Sequence, residues 1–305
     1  MRRPAIATGD NPSPQPPPRS GEGEQRFFSP SPSRGGGWGE GFCRIVLVLT
    51  VLALPVSAHD YWIQPDRFCP PVGTPVAVRV FVGDHFKSEG ERSFQQKPTV
   101  AFQLLSSRKA IDLAAAAKEG KTPMTEIVCP ERGSYWIALE RAPVTITLAA
   151  DKFNRYLEEE GLKPILEERR KSKEAGQPGR ERYSRYLKCL LQAGGTGDET
   201  WKKVIGHRLE IVPLADPYAA GPGGVLKVRL LFEGKSLPNA ALFAFHKIGD
   251  KVTEQRLTTA ADGTAAVRLT DRGTWMLHLV HVRRCAGRAD ADWESFWTSL
   301  TFELR

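Results

Sequence analysis

The chain has 305 residues, 41% of them hydrophobic, and a formal net charge of +8. Its lysines and arginines are spread along the sequence without a dense basic stripe interleaved with aromatic residues, which argues against nucleic acid as a partner. The longest apolar run, residues 45–54, falls short of the roughly 20 residues of a membrane-spanning helix. No membrane span is therefore expected in the mature protein.

The first 58 residues have the composition of a leader. Residues 1–40 are rich in Pro, Ser and Gly and predict a disordered extension, which is explained either by an upstream start codon assigned in error or by a long n-region. Residues 41–58 predict a signal peptide, with Arg44 before the apolar run and small residues at Val56 and Ala58. Such a signal peptide would direct the protein to the periplasm or out of the cell. Its cleavage after Ala58 would make His59 the first residue of the mature protein.

The remaining chain predicts a mainly β fold with two β-sandwich domains and a helical insert between them. Residues 59–150 read as short strands over 75–82, 97–105, 133–139 and 144–148, punctuated by Gly and Pro, and predict an Ig-like amino-terminal sandwich. Residues 151–205 predict the helical insert, with helices over 152–160, 163–173 and 180–192. The last of these helices is predicted from the three- and four-residue spacing of Tyr183, Tyr186, Leu187, Leu190 and Leu191.

Strand patterns return in residues 206–305, which predict the carboxy-terminal sandwich. The predicted strands cover 226–232, 237–246, 264–269, 273–282 and 296–304, and the third of them follows the turn sequence Asp262-Gly263.

Four cysteines would remain after cleavage, and an oxidising compartment would allow them to form two disulfides in any of three pairings. We favour Cys69–Cys129, because both residues flank strand-like segments of one predicted domain. Cys189–Cys285 then follows by elimination.

Motifs distributed over the mature chain point to one family. In chain order they are AHDYWIQP at 58–65, VG at 82–83, DKFNRYL at 151–157, EGL at 160–162, GRERYS at 179–184, LEIVP at 209–213, DPY at 216–218, ADG at 261–263 and DWESFWTSL at 292–300. This layout resembles an uncharacterised exported bacterial family, catalogued as a NikM-like domain of unknown function and associated with nickel or cobalt uptake. The resemblance implies a transition metal ion as ligand and a membrane metal-uptake transporter as partner. Residues 234–263 also resemble a carboxypeptidase-regulatory-type sandwich, a binding and adhesion module.

The histidines are the candidate metal ligands. A first-residue His59 would offer its α-amine and its imidazole to one ion, and His281 occupies a position at which the family typically has a histidine. His278 lies three residues earlier, on the opposite face if the segment is a strand, and His85 lies in a loop just after a strand. The predicted metal set is therefore His59, His281, His85 and His278. Asp60 and Asp84 are possible oxygen donors, equally plausible as a cap and a turn residue.

These observations favour a non-catalytic exported protein that binds nickel, cobalt or copper for uptake. The sequence contains no G-x-S-x-G, phosphate-binding-loop or H-E-x-x-H motif that would indicate an enzyme. Two alternatives remain open. One is a metal-free structural or adhesive sandwich. The other is a copper monooxygenase with an amino-terminal histidine brace, which would require a second convergent histidine.

Overall fold

Strands with alternating inward and outward side chains make up most of the computed structural model, which describes residues 59–305. The predicted extension at 1–40 and signal peptide at 41–58 lie outside these residues. In the second strand, for example, every second residue from Val76 to Val82 is buried, while the residues between them are partly exposed. The prediction of a mainly β fold is confirmed.

The strands form three sheets. The first outer sheet contains β1 (Asp60–Pro65), β2 (Pro75–Asp84), β3 (Lys87–Arg92) and β6 (Thr125–Val128). The second outer sheet contains β9 (Leu209–Pro213), β10 (Val225–Phe232), β11 (Lys235–Ser236) and β14 (Thr264–Arg268). The central sheet runs, edge to edge, through β13 (Lys251–Thr258), β12 (Ala241–Ile248), β15 (Gly273–Arg284), β16 (Trp293–Leu304), β8 (Gly179–Ala193), β7 (Gly133–Leu148), β4 (Thr99–Leu105) and β5 (Ala110–Asp112).

The central sheet is covered on both faces. Ile137 of β7 belongs to the hydrophobic core shared with the first outer sheet, whereas its neighbour Trp136 belongs to the core shared with the second outer sheet. Successive side chains of a strand point to opposite faces, so one sheet serves both sandwiches. The boundaries predicted at residues 150 and 205 between separate domains stay predictions.

Two helices extend the layer of the first outer sheet. Helix α1 (Ala150–Glu159) and helix α2 (Lys163–Lys171) pack Phe153, Leu157 and Leu166 against Trp293 and Trp297 of β16. A short 3-10 helix covers Glu199–Lys202, and α3 is the single turn Pro217–Ala220. Within residues 59–305 no helix is long and apolar enough to cross a membrane.

The third predicted helix, over residues 180–192, is wrong, because Gly179–Ala193 is the strand β8. This strand pairs with β7 on one side and in parallel with β16 on the other, and its later residues are buried on both faces. A strand buried on both faces carries an unbroken apolar run rather than an alternation. The spacing of Tyr186, Leu187, Leu190 and Leu191 therefore imitated helix periodicity.

Two smaller expectations also differ from the structure. The segments 133–139 and 144–148 form one strand, β7, and Pro143 lies at the register shift between Arg141 and Val144, where no ladder hydrogen bond is required of it. The favoured Cys69–Cys129 disulfide is absent, since all four cysteines in residues 59–305 are free. Membership of one predicted domain does not bring two sulfur atoms to the distance of about 2 Å that a disulfide needs.

Candidate functional site

His59 lies beside two carboxylates of the neighbouring strands. Strand β1 pairs antiparallel with β2, with Asp60 opposite Gly83, and extending this register by one residue places His59 opposite Asp84. The imidazole Nδ1 of His59 is 3.1 Å from Asp84 Oδ1, and its Nε2 is 3.5 Å from Glu89 Oε2. We call His59, Asp84 and Glu89 the outer cluster. All three are at least partly exposed, and one donor atom from each lies within 4.8 Å of the others.

A β-bulge brings Glu89 into the outer cluster. Val82 pairs with Gly90 and Gly83 pairs with Ser88, so Glu89 is the extra residue of β3. Such a residue is free to aim its side chain away from the regular pleat. Only glycine fits at position 83, because a Cβ there would lie 1.9 Å from the Lys87 carbonyl oxygen.

A second group of possible metal ligands lies deeper in the protein than the outer cluster. It consists of Asp60, Glu160 and His278, and we call it the inner cluster. His278 of β15 places Nε2 3.2 Å from Asp60 Oδ1 and 3.2 Å from Glu160 Oε2. The side chains of His278 and Asp60 are 3% and 8% exposed, and the ring of Trp297 lies 5.9 Å from the imidazole centroid. The Nε2 atom of His278 therefore lies close to two carboxylates at a position shielded from solvent.

Glu160 reaches His278 because helix α1 ends there. Gly161 adopts φ +69° immediately after it, and a Cβ at Gly161 would lie 2.9 Å from that of Ala241 in β12, so the helix terminus sits close against the central sheet. A carboxylate is poorly placed at the carboxyl end of a helix, where the helix dipole is negative, and the last turn of α1 has no basic residue. A protonated His278 offsets this cost.

The charges of the inner cluster are interdependent. Burial, with smaller contributions from the charges of Glu160 and Asp84, raises the pKa of Asp60 to about 6 against the opposing effects of His278 and His85. Burial would lower the pKa of His278, but Asp60 and Glu160 outweigh that effect and raise it to about 9. At neutral pH His278 is therefore an imidazolium that lies between two buried or partly buried carboxyl groups.

His85 lies on the rim of the two clusters. It forms the β2–β3 turn together with Phe86, and both residues have positive φ, 50° and 60°. A two-residue hairpin turn of this type demands positive φ, but non-glycine residues adopt it at a cost. Phe86 compensates by burying its ring against Trp62, at a centroid distance of 5.2 Å. His85 is left half-exposed with Nδ1 3.3 Å from Glu254 Oε2.

His281 lies apart from the other predicted ligands. It projects from the opposite face of β15, as its spacing from His278 predicted, and its ring is 4.4 Å from that of Phe232. Burial, and then the charge of Arg283, lower its pKa to about 4. No cluster of three possible donors within residues 59–305 includes His281. The structure therefore brings His59 together with Asp84, and His278 together with Asp60, while His85 stays at the edge.

Two acidic residues of the clusters were not foreseen from the sequence. Glu89 is indistinguishable in sequence from other charged residues of an edge strand, because only the bulge gives it a role. Glu160 follows two other glutamates, and a run of like charges in a sequence usually indicates a solvent-exposed face. The one sequence feature that could have singled it out is Gly161, which ends the helix at that residue.

Comparison with known proteins identifies the family of the chain. A family model described as a domain of unknown function, DUF4198, matches residues 56–283. The chain belongs to this family. The matched residues include every member of the outer and inner clusters. No curated protein matches the chain.

Two solved structures match this DUF4198 protein at low sequence identity. The D0-D1 domain of intimin is 11% identical, with a TM-score of 0.20, and the match covers 80% of this chain and 97% of that one. Dimeric latent PorU from Porphyromonas gingivalis is 8% identical, with a TM-score of 0.17, and the match covers 78% of this chain and 20% of that one. Similarities at these TM-scores carry no argument about function.

Proposed function

We propose that this DUF4198 protein is an exported, non-catalytic protein that binds a divalent transition metal ion at the outer cluster. The observation that carries the proposal is the position of His59, whose two ring nitrogens each have a carboxylate oxygen within 3.5 Å. One imidazole with carboxylate donors suits nickel, cobalt, zinc or iron in their divalent states better than a soft ion such as Cu(I).

The two nitrogens of His59 suggest different roles for the two acids. If cleavage follows Ala58, the free amine and Nδ1 of the same residue form a chelate, and Asp84, 3.1 Å from Nδ1, becomes the adjacent oxygen ligand. Glu89 then accepts a hydrogen bond from Nε2–H and holds the tautomer whose Nδ1 lone pair is free. Carboxylates commonly orient metal-binding histidines in this way.

The inner cluster contributes in two ways. Its contacts fix the start of β1, because Asp60 is anchored between β2 and His278, and His59 is therefore presented from a rigid position. Its three donors also form a second set of one nitrogen and two oxygens. Loading an ion there would require displacement of the proton that His278 holds up to about pH 9, so ion exchange is easier at the outer cluster.

The types of ligand atom in the two clusters favour metal binding over the two alternatives, a metal-free adhesive sandwich and a copper monooxygenase. A metal-free adhesive sandwich would account for the buried inner cluster as an ion-paired support of the fold, but it gives no role to the exposed donors that converge in the outer cluster. A copper monooxygenase needs a second imidazole in the metal's coordination sphere, and among residues 59–305 neither donor cluster contains two histidines. The association with nickel or cobalt uptake, and a transporter as partner, follow from the resemblance to NikM-like proteins.

Calorimetric titration of the exported, processed protein with Ni²⁺, Co²⁺ and Cu²⁺ tests the proposal. We expect His59→Ala, and a variant that retains one extra residue before His59, each to weaken binding at least about tenfold, or about 1.4 kcal/mol. His281→Ala is the matched control and should bind as the wild type does. Equal binding by the wild type and both His59 variants would overturn the proposal.

A further inference from the structure

Three arginines cluster at one end of the first sandwich without a carboxylate partner. Arg92 and Arg185 place their guanidinium carbons 5.5 Å and 4.0 Å from the ring centroid of Tyr61. Arg141 is close enough to both arginines for their charges to lower its pKa, in addition to the larger effect of burial. Many arginines in residues 59–305 form ion pairs within 4.0 Å, but none of these three does so with another described residue.

Arg185 is held rigidly in this cluster. Its guanidinium lies over Tyr61 and over Tyr183, with the latter centroid 4.5 Å from Cζ, and Nη2 donates a hydrogen bond to the His59 carbonyl oxygen at 3.3 Å. Stacking on aromatic rings fixes the plane of a guanidinium and directs its N–H groups outwards along the edge. The Nε of Arg185 is buried and has no hydrogen-bond partner among residues 59–305.

A pocket of about 290 Å³ opens beside these arginines. Its polar lining includes Arg141, Arg185, Tyr61 and Tyr183, and the apolar residues Pro98, Ala142 and Val144 complete the wall. Gln95 accepts a hydrogen bond from Arg141 Nη2 at 2.8 Å and so positions that guanidinium at the pocket wall. The pocket therefore presents converging donors and positive charge.

Among residues 59–305 no carboxylate forms an ion pair within 4.0 Å with the arginines of the pocket. Glu181 is close enough to Arg185 to feel its charge, but it is buried and its Oε1 accepts hydrogen bonds from Tyr156 and Ser295 instead of from Arg185. Like charges held together in a partly buried site repel unless an anion lies between them. Arginine favours planar oxyanions in particular, because its N–H groups match carboxylate and phosphate geometry.

We infer that the pocket formed by Tyr61, Arg141, Tyr183 and Arg185, with Arg92 at its edge, binds a small oxyanion, namely a carboxylate or phosphate compound. The anion accepts hydrogen bonds from the guanidinium groups and from the tyrosine hydroxyls. The inference does not depend on metal binding, since none of these side chains belongs to the outer or inner cluster. It does place an anion next to the His59 backbone, on the side of Arg185.

Titration of the purified, metal-free protein with citrate and, separately, with inorganic phosphate tests the inference. We expect at least one of the two to bind, and Arg141→Gln to weaken that binding at least about tenfold. The matched control is Arg155→Gln, which removes the same charge from the exposed face of α1 and should change the affinity less than twofold. Tighter binding of citrate would assign the site to carboxylates, and tighter binding of phosphate would assign it to phosphates.

Arg185→Gln provides a second variant in the same pocket, with circular dichroism as the check that it folds. If it does, it should lose the anion at least as completely as Arg141→Gln, and if it does not, Arg141→Gln alone decides. The inference is overturned if neither anion binds the wild type. It is also overturned if Arg141→Gln and Arg155→Gln reduce binding equally, which would mean a response to net charge. Because all titrations are metal-free, failure here leaves the proposed metal site untouched.

Discussion

The outer and inner clusters use the same types of donor in opposite environments. Each cluster combines one histidine with one aspartate and one glutamate. Of the consecutive residues His59 and Asp60, the first belongs to the outer cluster and the second to the inner cluster. In the outer cluster the side chains of Asp84 and Glu89 are 45% and 54% exposed, whereas the inner His278 is 3% exposed.

Solvent access separates the roles of the two clusters. An ion pair in water contributes little to folding, about 0–1 kcal/mol, and its groups remain free to exchange a proton for a metal ion. Removing one partner of a buried ion pair strongly destabilises the fold, because the remaining charged group is left without a partner and without hydration. The comparison indicates that the inner cluster stabilises the fold while the outer cluster stays available for a ligand.

The largest expected effect follows from removal of His278. His278→Ala leaves Asp60 and Glu160 facing each other without a cation, and we expect a loss of about 3–5 kcal/mol in the free energy of unfolding. Urea denaturation of metal-free protein measures this loss. A cost below about 1 kcal/mol would mean that burial does not distinguish the two clusters.

The next effect concerns the bulge that shapes the outer cluster. A Cβ at Gly83 would collide with the Lys87 carbonyl oxygen, so Gly83→Ala must displace the β2–β3 turn. We expect a loss of about 1–3 kcal/mol in unfolding free energy, together with weaker metal binding because Glu89 moves. Gly90→Ala on the paired strand β3 is the matched control, since nothing lies within 4 Å of a Cβ built there. Equal effects of the two substitutions would contradict the role of the bulge.

The inner cluster should also make stability depend on pH. The folded protein binds protons more tightly than the unfolded chain at both Asp60 and His278, since their pKa values are raised to about 6 and about 9. The contribution of Asp60 is fully present below about pH 4 and is lost as the pH rises through 6, and that of His278 is present below about pH 6.5 and is lost as the pH rises through 9.

Urea denaturation of metal-free protein between pH 4 and pH 10 measures this dependence. The slope that each proton contributes cannot exceed about 1.4 kcal/mol per pH unit. Asp60→Asn should remove the lower part of the decline and also reduce the upper part, because the charge of Asp60 contributes to the raised pKa of His278. A decline that persists unchanged in Asp60→Asn would have to arise elsewhere in the molecule.

The smallest stability effect is expected for His59 itself. In metal-free protein His59→Ala should change the unfolding free energy by less than about 1 kcal/mol, because its carboxylate partners are solvated. Added Ni²⁺ should raise the unfolding temperature of the wild type more than that of the variant, since an ion that binds only the folded state stabilises it. An equal rise in both proteins would place the ion away from His59.

The sequence by itself determined the features that depend on local pattern. The alternation in segments such as 75–82 predicted strands and a mainly β fold, and the three-residue spacing of His278 and His281 predicted opposite faces of one strand. Both depend on the period of a pleated strand, which the chain carries in every short segment.

Only the tertiary structure decided which residues meet. Burial of β8 on both faces erased its alternation, so its identity as a strand depended on the sheets packed against it. The convergence of Glu89 with His59 depended on a bulge in a neighbouring strand, and that of Glu160 with His278 depended on where a helix stops against the central sheet. These contacts join residues 30 to 118 positions apart. Pairing register and packing set such distances, and neither is written in the pattern of a single segment.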